Sequence, residues 1–147
     1  MLSVTSGKGN DTLSVKGMSA AGSTFLDGGN GVDSGTVDFS HATASVTGSY
    51  AGTGLVSDGT TSVSLFNLEH LGLIGGSAND TLKGNAGDDV LDGEAGNDTL
   101  SGGTGTNVLN GEAGDDTMFD SGLGKTAKAL DLDVPAMVLA RANEVIE

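Results

Sequence analysis

Five consecutive stretches of nine residues, Gly75 to Phe119, each place an aspartate or asparagine at the sixth position: Asp80, Asp89, Asp98, Asn107 and Asp116. Together the five copies carry nine acids (Asp80, Asp88, Asp89, Asp92, Glu94, Asp98, Glu112, Asp115, Asp116) against one base, Lys83. Two carboxylates about 5 Å apart repel by ~1 kcal/mol in water and by ~3 kcal/mol at an effective dielectric of ~20. The chemistry open to such a row is the capture of cations, without which the block resists compaction.

The residues between the acids say which cation. The copies read GGSANDTLK, GNAGDDVLD, GEAGNDTLS, GGTGTNVLN and GEAGDDTMF. Glycine holds the first position throughout and the fourth in four copies, so each copy opens with a turn that exposes backbone carbonyls. Calcium takes six to eight oxygen ligands, carbonyls included, in flexible geometry. Magnesium demands strict octahedra, and zinc prefers the His and Cys that this block lacks. Calcium is the ion that fits.

The elements that must position these acids follow from the same register. Positions seven to nine (Thr-Leu-Lys, Val-Leu-Asp, Thr-Leu-Ser) alternate as a very short strand does, with Leu82, Leu91, Leu100, Leu109 and Met118 in the middle. The seventh position runs Thr81, Val90, Thr99, Val108, Thr117, a period of two copies. Two copies therefore make one coil, and stacked strands about 4.8 Å apart put Asp80, Asp98 and Asp116 in one column and Asp89 with Asn107 in another. The expected fold is all-β: a parallel β-roll of calcium-binding nonapeptide repeats, with further β-strands N-terminal to it and a short C-terminal helix.

At these residues the chain resembles the repeats-in-toxin (RTX), or hemolysin-type, calcium-binding proteins, whose pattern is G-G-x-G-x-D-x-U-x. The resemblance implies that the six-residue turn binds calcium, and that carbonyls of the first four positions of neighbouring turns join the sixth-position Asp. The implied ligand positions are Gly75, Gly76, Ala78, Gly84, Asn85, Gly87, Gly93, Glu94, Gly96, Gly102, Gly103, Gly105, Gly111 and Gly114, beside Asp80, Asp89, Asp98 and Asp116. Asn107, lacking charge, is expected to weaken or abolish one site. At the second position, Asn85, Glu94 and Glu112 replace Gly and are expected to point to solvent. Two degenerate copies lie upstream, SGKGNDTLS with Asp11 and GGNGVD with Asp33. Each is a candidate calcium turn, expected to lack a stacked neighbour.

The chain divides into residues 1–39 (degenerate repeats), 40–74 (a β-strand insertion packing on the roll), 75–119 (five repeats) and 120–147 (a capping, helical tail). ATASVTGSY and TTSVSLF read as strands, and Leu68, Leu71 and Leu73 in the lead-in to the repeats are expected to face inward. In the tail, a helix is expected from near Pro135 with Asp133 as its cap, serving to cover a roll edge or as an uncleaved export signal. The tail also resembles the extreme C-terminus of bacterial ABC-transporter substrate-binding proteins, a likeness too short to carry function.

Composition narrows the function classes. Of 147 residues 26 are Gly, aromatics supply 3%, and the net charge is -14 with six Lys plus Arg, which excludes nucleic acid as the default partner. The absence of Cys removes disulfides and thiolate sites. No apolar run approaches the ~18 residues of a membrane span, and MLSVTSGKGNDTL lacks the marks of a cleaved signal. Ser121–Thr126 ends like a phosphate-binding loop but has Phe119 where its first Gly belongs, and His41 and His70 find no nucleophile. An enzyme is not expected. The expectation is a secreted, extracellular module that folds on binding Ca2+. The alternatives are a detached C-terminal module of a secreted hydrolase and a calcium-dependent adhesion module. Besides calcium, the candidate partners are an extracellular polysaccharide, a cell surface, and a second copy stacked end to end.

Overall fold

The computed structural model describes residues 1–16, 22–51, 53–122 and 124–128, and every regular element among them is a strand. In chain order these are β1 (Leu2–Thr5), β2 (Thr12–Lys16), β3 (Gly22–Asp27), β4 (Ser34–Asp38), β5 (Thr47–Ala51), β6 (Thr53–Ser57), β7 (Thr61–Phe66), β8 (His70–Ile74), β9 (Thr81–Lys83), β10 (Val90–Asp92), β11 (Thr99–Ser101), β12 (Thr106–Asn110), β13 (Thr117–Phe119) and β14 (Gly124–Lys128). They form an eight-stranded sheet, β1-β3-β7-β6-β5-β9-β11-β13, and a six-stranded sheet, β14-β12-β10-β8-β4-β2. Each Gly-rich turn sends the chain from one sheet to the other, so the chain winds as a parallel roll.

The expected coil of two copies is what the pairing shows. Thr81, Thr99 and Thr117 are in register in the first sheet, and Val90 with Val108 in the second. This stacks Leu82 on Leu100 and Leu91 on Leu109, all at most 1% exposed, because position eight carries the inward apolar side chain.

The roll is longer than its repeats. β1 pairs with β3 and β2 with β4 in parallel, so β1 to β4 already make two coils. Residues 47–66 do not form a separate layer on the roll. They run β5-β6-β7 as an antiparallel meander within the first sheet, where β7 joins β3 and β5 joins β9. The reason lies in strand length: Thr61–Phe66 is long enough to match all six residues of β3, and Asp58 accepts N–H bonds from Thr60 and Thr61 to close the turn between β6 and β7. β8 joins β4 to β10 in the second sheet, and Leu68, Leu71 and Leu73 are buried as expected.

Beyond Phe119 the second sheet gains β14, paired with β12. The helix expected from Pro135 lies outside the described residues.

Candidate metal centre

The sixth-position side chains form a hydrogen-bond ladder that runs along the roll. Asp116 Oδ1 accepts the Asp98 N–H at 2.9 Å, Asp98 Oδ1 accepts the Asp80 N–H at 2.7 Å, and Asp80 Oδ1 accepts the Val46 N–H at 2.6 Å. In the other column Asn107 Oδ1 accepts from Asp89 N at 3.0 Å and Asp89 Oδ1 from Leu71 N at 2.8 Å. Each rung thus uses one oxygen to fix a backbone N–H at the start of a strand one coil back: Asp98, Asp89, Asp80 and Val46 stand just before β11, β10, β9 and β5, and Leu71 is the second residue of β8. The second oxygen is left for something else.

Space for that something is carved by the first-position glycines. A methyl group built on Gly75 would collide with Asp80 Oδ2 and lie 2.8 Å from the Gly93 carbonyl oxygen. On Gly93 it would collide with Asp98 Oδ2 and lie 3.0 Å from the Gly111 oxygen; on Gly84, with Asp89 Oδ2 and 2.6 Å from the Gly102 oxygen. Each cradle therefore sets a carboxylate oxygen against a carbonyl of the next coil, where any side chain at position one would fill it. At position four the constraint is backbone stacking: Gly96, at φ 135°, lies against the Ala78 carbonyl, and Gly114, at φ 143°, against that of Gly96.

The second oxygens show what the cradles lack. Gly76 N donates to Asp80 Oδ2 and Asn85 N to Asp89 Oδ2, both at 2.6 Å. Asp98 Oδ2 and Asp116 Oδ2 are buried with no hydrogen-bond partner, which costs free energy unless a cation supplies the missing contact. Among the described residues no three His, Cys, Asp or Glu side chains converge. A cation here would be held by one carboxylate per turn and the carbonyls around it, the oxygen-only set that suits calcium. Sequence position placed Asp80, Asp89, Asp98, Asp116 and the position-one glycines in this arrangement, and the structure brings them together.

Electrostatics agrees. Burial, and then the charges of Asp80, Asp116 and Asp92, push the Asp98 carboxyl up from 3.8 to about 6, against the Asp80 N–H bond that opposes the rise. Burial raises Asp80 and Asp89 as well, despite their N–H partners. Asp80, Asp89 and Asp98, each raised by burial, are anions whose charged form is short of positive charge.

Asn107 departs from the column. With Oδ1 held by Asp89 N, its Nδ2 is turned to the side where the other copies present Oδ2, and donates to Asp120 Oδ1 at 2.9 Å. The same Asp120 oxygen accepts from Gly122 N at 2.9 Å, while its Oδ2 is buried without a partner. This cradle holds an amide donor, and Asp120 of the following turn brings the charge that Asn107 lacks. Asp120 went unread in the sequence because it lies one residue beyond the last repeat.

The two upstream turns are stacked, contrary to expectation. Asp33 Oδ1 accepts the Asp11 N–H at 2.7 Å, and Glu69 Oε2 accepts the Asp33 N–H at 2.7 Å. Asp33 and Glu69 thus repeat the ladder, with Glu69 in the part played by aspartate elsewhere. Glu94 and Glu112 sit at φ 68° and 65°, in the left-handed region that Gly103 takes at the same position, and Glu94 is exposed as expected. Asn85, half-buried, is not turned to solvent, for its Nδ2 donates to the Leu68 carbonyl at 2.9 Å and its Oδ1 accepts from Gly87 N at 2.7 Å.

No curated protein matches the chain. With that, and with the tail from residue 129 outside the described residues, its resemblance to ABC-transporter substrate-binding proteins finds no support. Residues 74–109 and 94–119, less than half of the chain, match the family model of the RTX calcium-binding nonapeptide repeat, so the cradles of this block are built from repeats of that kind.

Proposed function

We propose that this chain is a secreted calcium-binding module whose roll is completed by the ion: it stays loosely ordered where calcium is scarce and sets where calcium is near millimolar, the range of extracellular modules. Asp80, Asp98 and Asp116 in one column and Asp89 in the other hold the ions, with carbonyls of Gly93, Gly111 and Gly102 opposite. When bound, calcium supplies the charge that offsets carboxylate crowding between coils. Since these ligands come together only in the wound chain, binding free energy is folding free energy. The Asn107 turn takes no ion, because an N–H donor occupies its cradle.

The observation that carries this reading is the pair of buried, unpartnered oxygens, Asp98 Oδ2 and Asp116 Oδ2, in an acidic column. Circular dichroism during a calcium titration tests it, with magnesium as control. The β signal is expected to rise with calcium and not with magnesium. A chelated sample with the same spectrum and the same cooperative melt as the calcium-loaded one overturns the proposal.

A further inference from the structure

Outside the residues that match the repeat family, the degenerate turn of Asp33 reproduces the repeat cradle against a segment, Asn67 to Glu69, that carries no repeat. Asp33 is wholly buried; its Oδ1 caps Asp11 N, and its Oδ2 has no partner. Asp98 has the same division of labour: Oδ1 on Asp80 N, Oδ2 without a partner. Five residues before Asp33 stands Gly28, as Gly93 stands five before Asp98. A methyl built on Gly28 would collide with the Asn67 carbonyl oxygen and lie 2.8 Å from Asp33 Oδ2, just as one on Gly93 meets the Gly111 carbonyl and Asp98 Oδ2.

Asn67 belongs to no repeat. It takes φ 49°, a conformation that Asn tolerates better than most residues, and its Nδ2 donates to Asp27 Oδ1 at 2.8 Å. That anchor fixes the Asn67 backbone where its carbonyl faces Gly28. Glu69, two residues on, receives the Asp33 N–H and so completes the ladder. Strands on both sides hold these turns in register: β3 with β7 and β4 with β8.

We propose that Asp33 Oδ2 and the Asn67 carbonyl hold a further calcium ion, joining the N-terminal coil to the non-repeat coil of β7 and β8. This rests on the reading that the repeat cradles bind calcium, and extends it to a site assembled from one degenerate turn and a segment that carries no repeat. The anionic, acceptor-only chemistry of a buried carboxylate faced by a carbonyl excludes an anion and has no donor for a neutral ligand.

Counting bound calcium on the full chain by native mass spectrometry tests it. Asp33→Asn keeps Oδ1 for Asp11 N and turns an amide into the cradle, as Asn107 does naturally. The expected result is one ion fewer than in the unaltered chain, with Asp98→Asn also lowering the count. If Asp33→Asn binds as many ions as the unaltered chain while Asp98→Asn binds fewer, this inference is overturned and the repeat reading stands. If the unaltered chain binds none, both fall. Should Asp33→Asn not fold, amide exchange of the unaltered chain decides: calcium must slow the amides of Asp11 and Asp33. Unchanged rates there, beside slowed amides in residues 93–119, overturn the inference.

Discussion

The two ends of the roll are held together differently. In residues 22–74 each strand is five or six residues long and, apart from β5 and β6, buries two or three inward positions: Leu26 with Thr24 on β3, Val63 and Leu65 with Thr61 on β7, Leu71 and Leu73 on β8. In residues 75–119 β9, β10 and β11 have three residues and one buried side chain each, Leu82, Leu91 and Leu100. Burying a Leu contributes roughly 1.5–3 kcal/mol, while ordering each backbone residue costs about 1–2 kcal/mol. One end has a conventional apolar core. The other spreads one leucine over nine residues and puts a buried aspartate where a second apolar side chain would go, so under the proposed function its stability is tied to a cation.

Removing calcium is the widest test of that contrast. With excess chelator, amides of β9 to β13 are expected to lose protection by orders of magnitude, while those of β3, β7 and β8 lose much less. Hydrogen exchange with and without EGTA reads this directly. Uniform loss along the chain would mean that the apolar half has no independent core, and uniform retention that the repeats need no ion.

Core truncations sharpen the same line. Leu65→Ala and Leu100→Ala each remove a fully buried side chain, at a cost of about 2–5 kcal/mol. The Leu65→Ala loss is expected in chelator as in calcium. The Leu100→Ala loss is expected in calcium only, since without the ion its coil is not formed. Denaturant titrations in both conditions separate the two patterns.

Protons can stand in for calcium in part. In the metal-free chain the folded-state Asp98 carboxyl is raised to about 6. The stability linked to it is present below the ordinary value of 3.8 and is lost as pH rises through about 6. Chelated protein is therefore expected to form more of the repeat coil at pH 4.5 than at pH 7.5, with Asp80 and Asp89 acting in the same direction as Asp98. With calcium present the trend reverses, because protons then compete with the ion. A chelated chain that gains stability from pH 4.5 to 7.5 would show that the buried carboxylates are satisfied without metal.

The contrast between the halves also marks what was legible in the sequence. The repeat block was readable because each copy has only one inward apolar position, so a period of nine survives in Leu82, Leu91, Leu100 and Leu109, and the Asp columns follow from it. The non-repeat coil was not, because an apolar core can be filled by many sequences. Its strands were visible, but nothing in TTSVSLF announces that it pairs with Gly22–Asp27. Glu69 was missed for a related reason: at that turn the ladder needs only an acceptor oxygen, and a glutamate between Leu68 and His70 looks like a solvated residue of a packing segment. The signal lay in its place, one residue before the alternating strand His70–Ile74 and two after Asn67.

The smallest expected effect concerns the second turn position, where the repeat half tolerates local strain. Glu94 holds φ 68° and its carboxyl is raised, by burial first and then by Asp92, Glu112 and Asp38. A residue with a Cβ in that region costs roughly 1–2 kcal/mol. Glu94→Gly relieves it but gives the unfolded chain more freedom, at about 0.4–1 kcal/mol. The net expectation is a stabilisation of about 0.5–1 kcal/mol in calcium, measured by denaturant midpoint. Glu94→Gln keeps the Cβ and removes the charge, so it should recover only the salt-sensitive part. If Gln stabilises as much as Gly, the strain at this position is electrostatic and the turn accepts a side chain at no backbone cost. If neither changes the midpoint, Glu94 is relaxed by the ion itself, and the repeat half is more completely metal-held than its strands alone require.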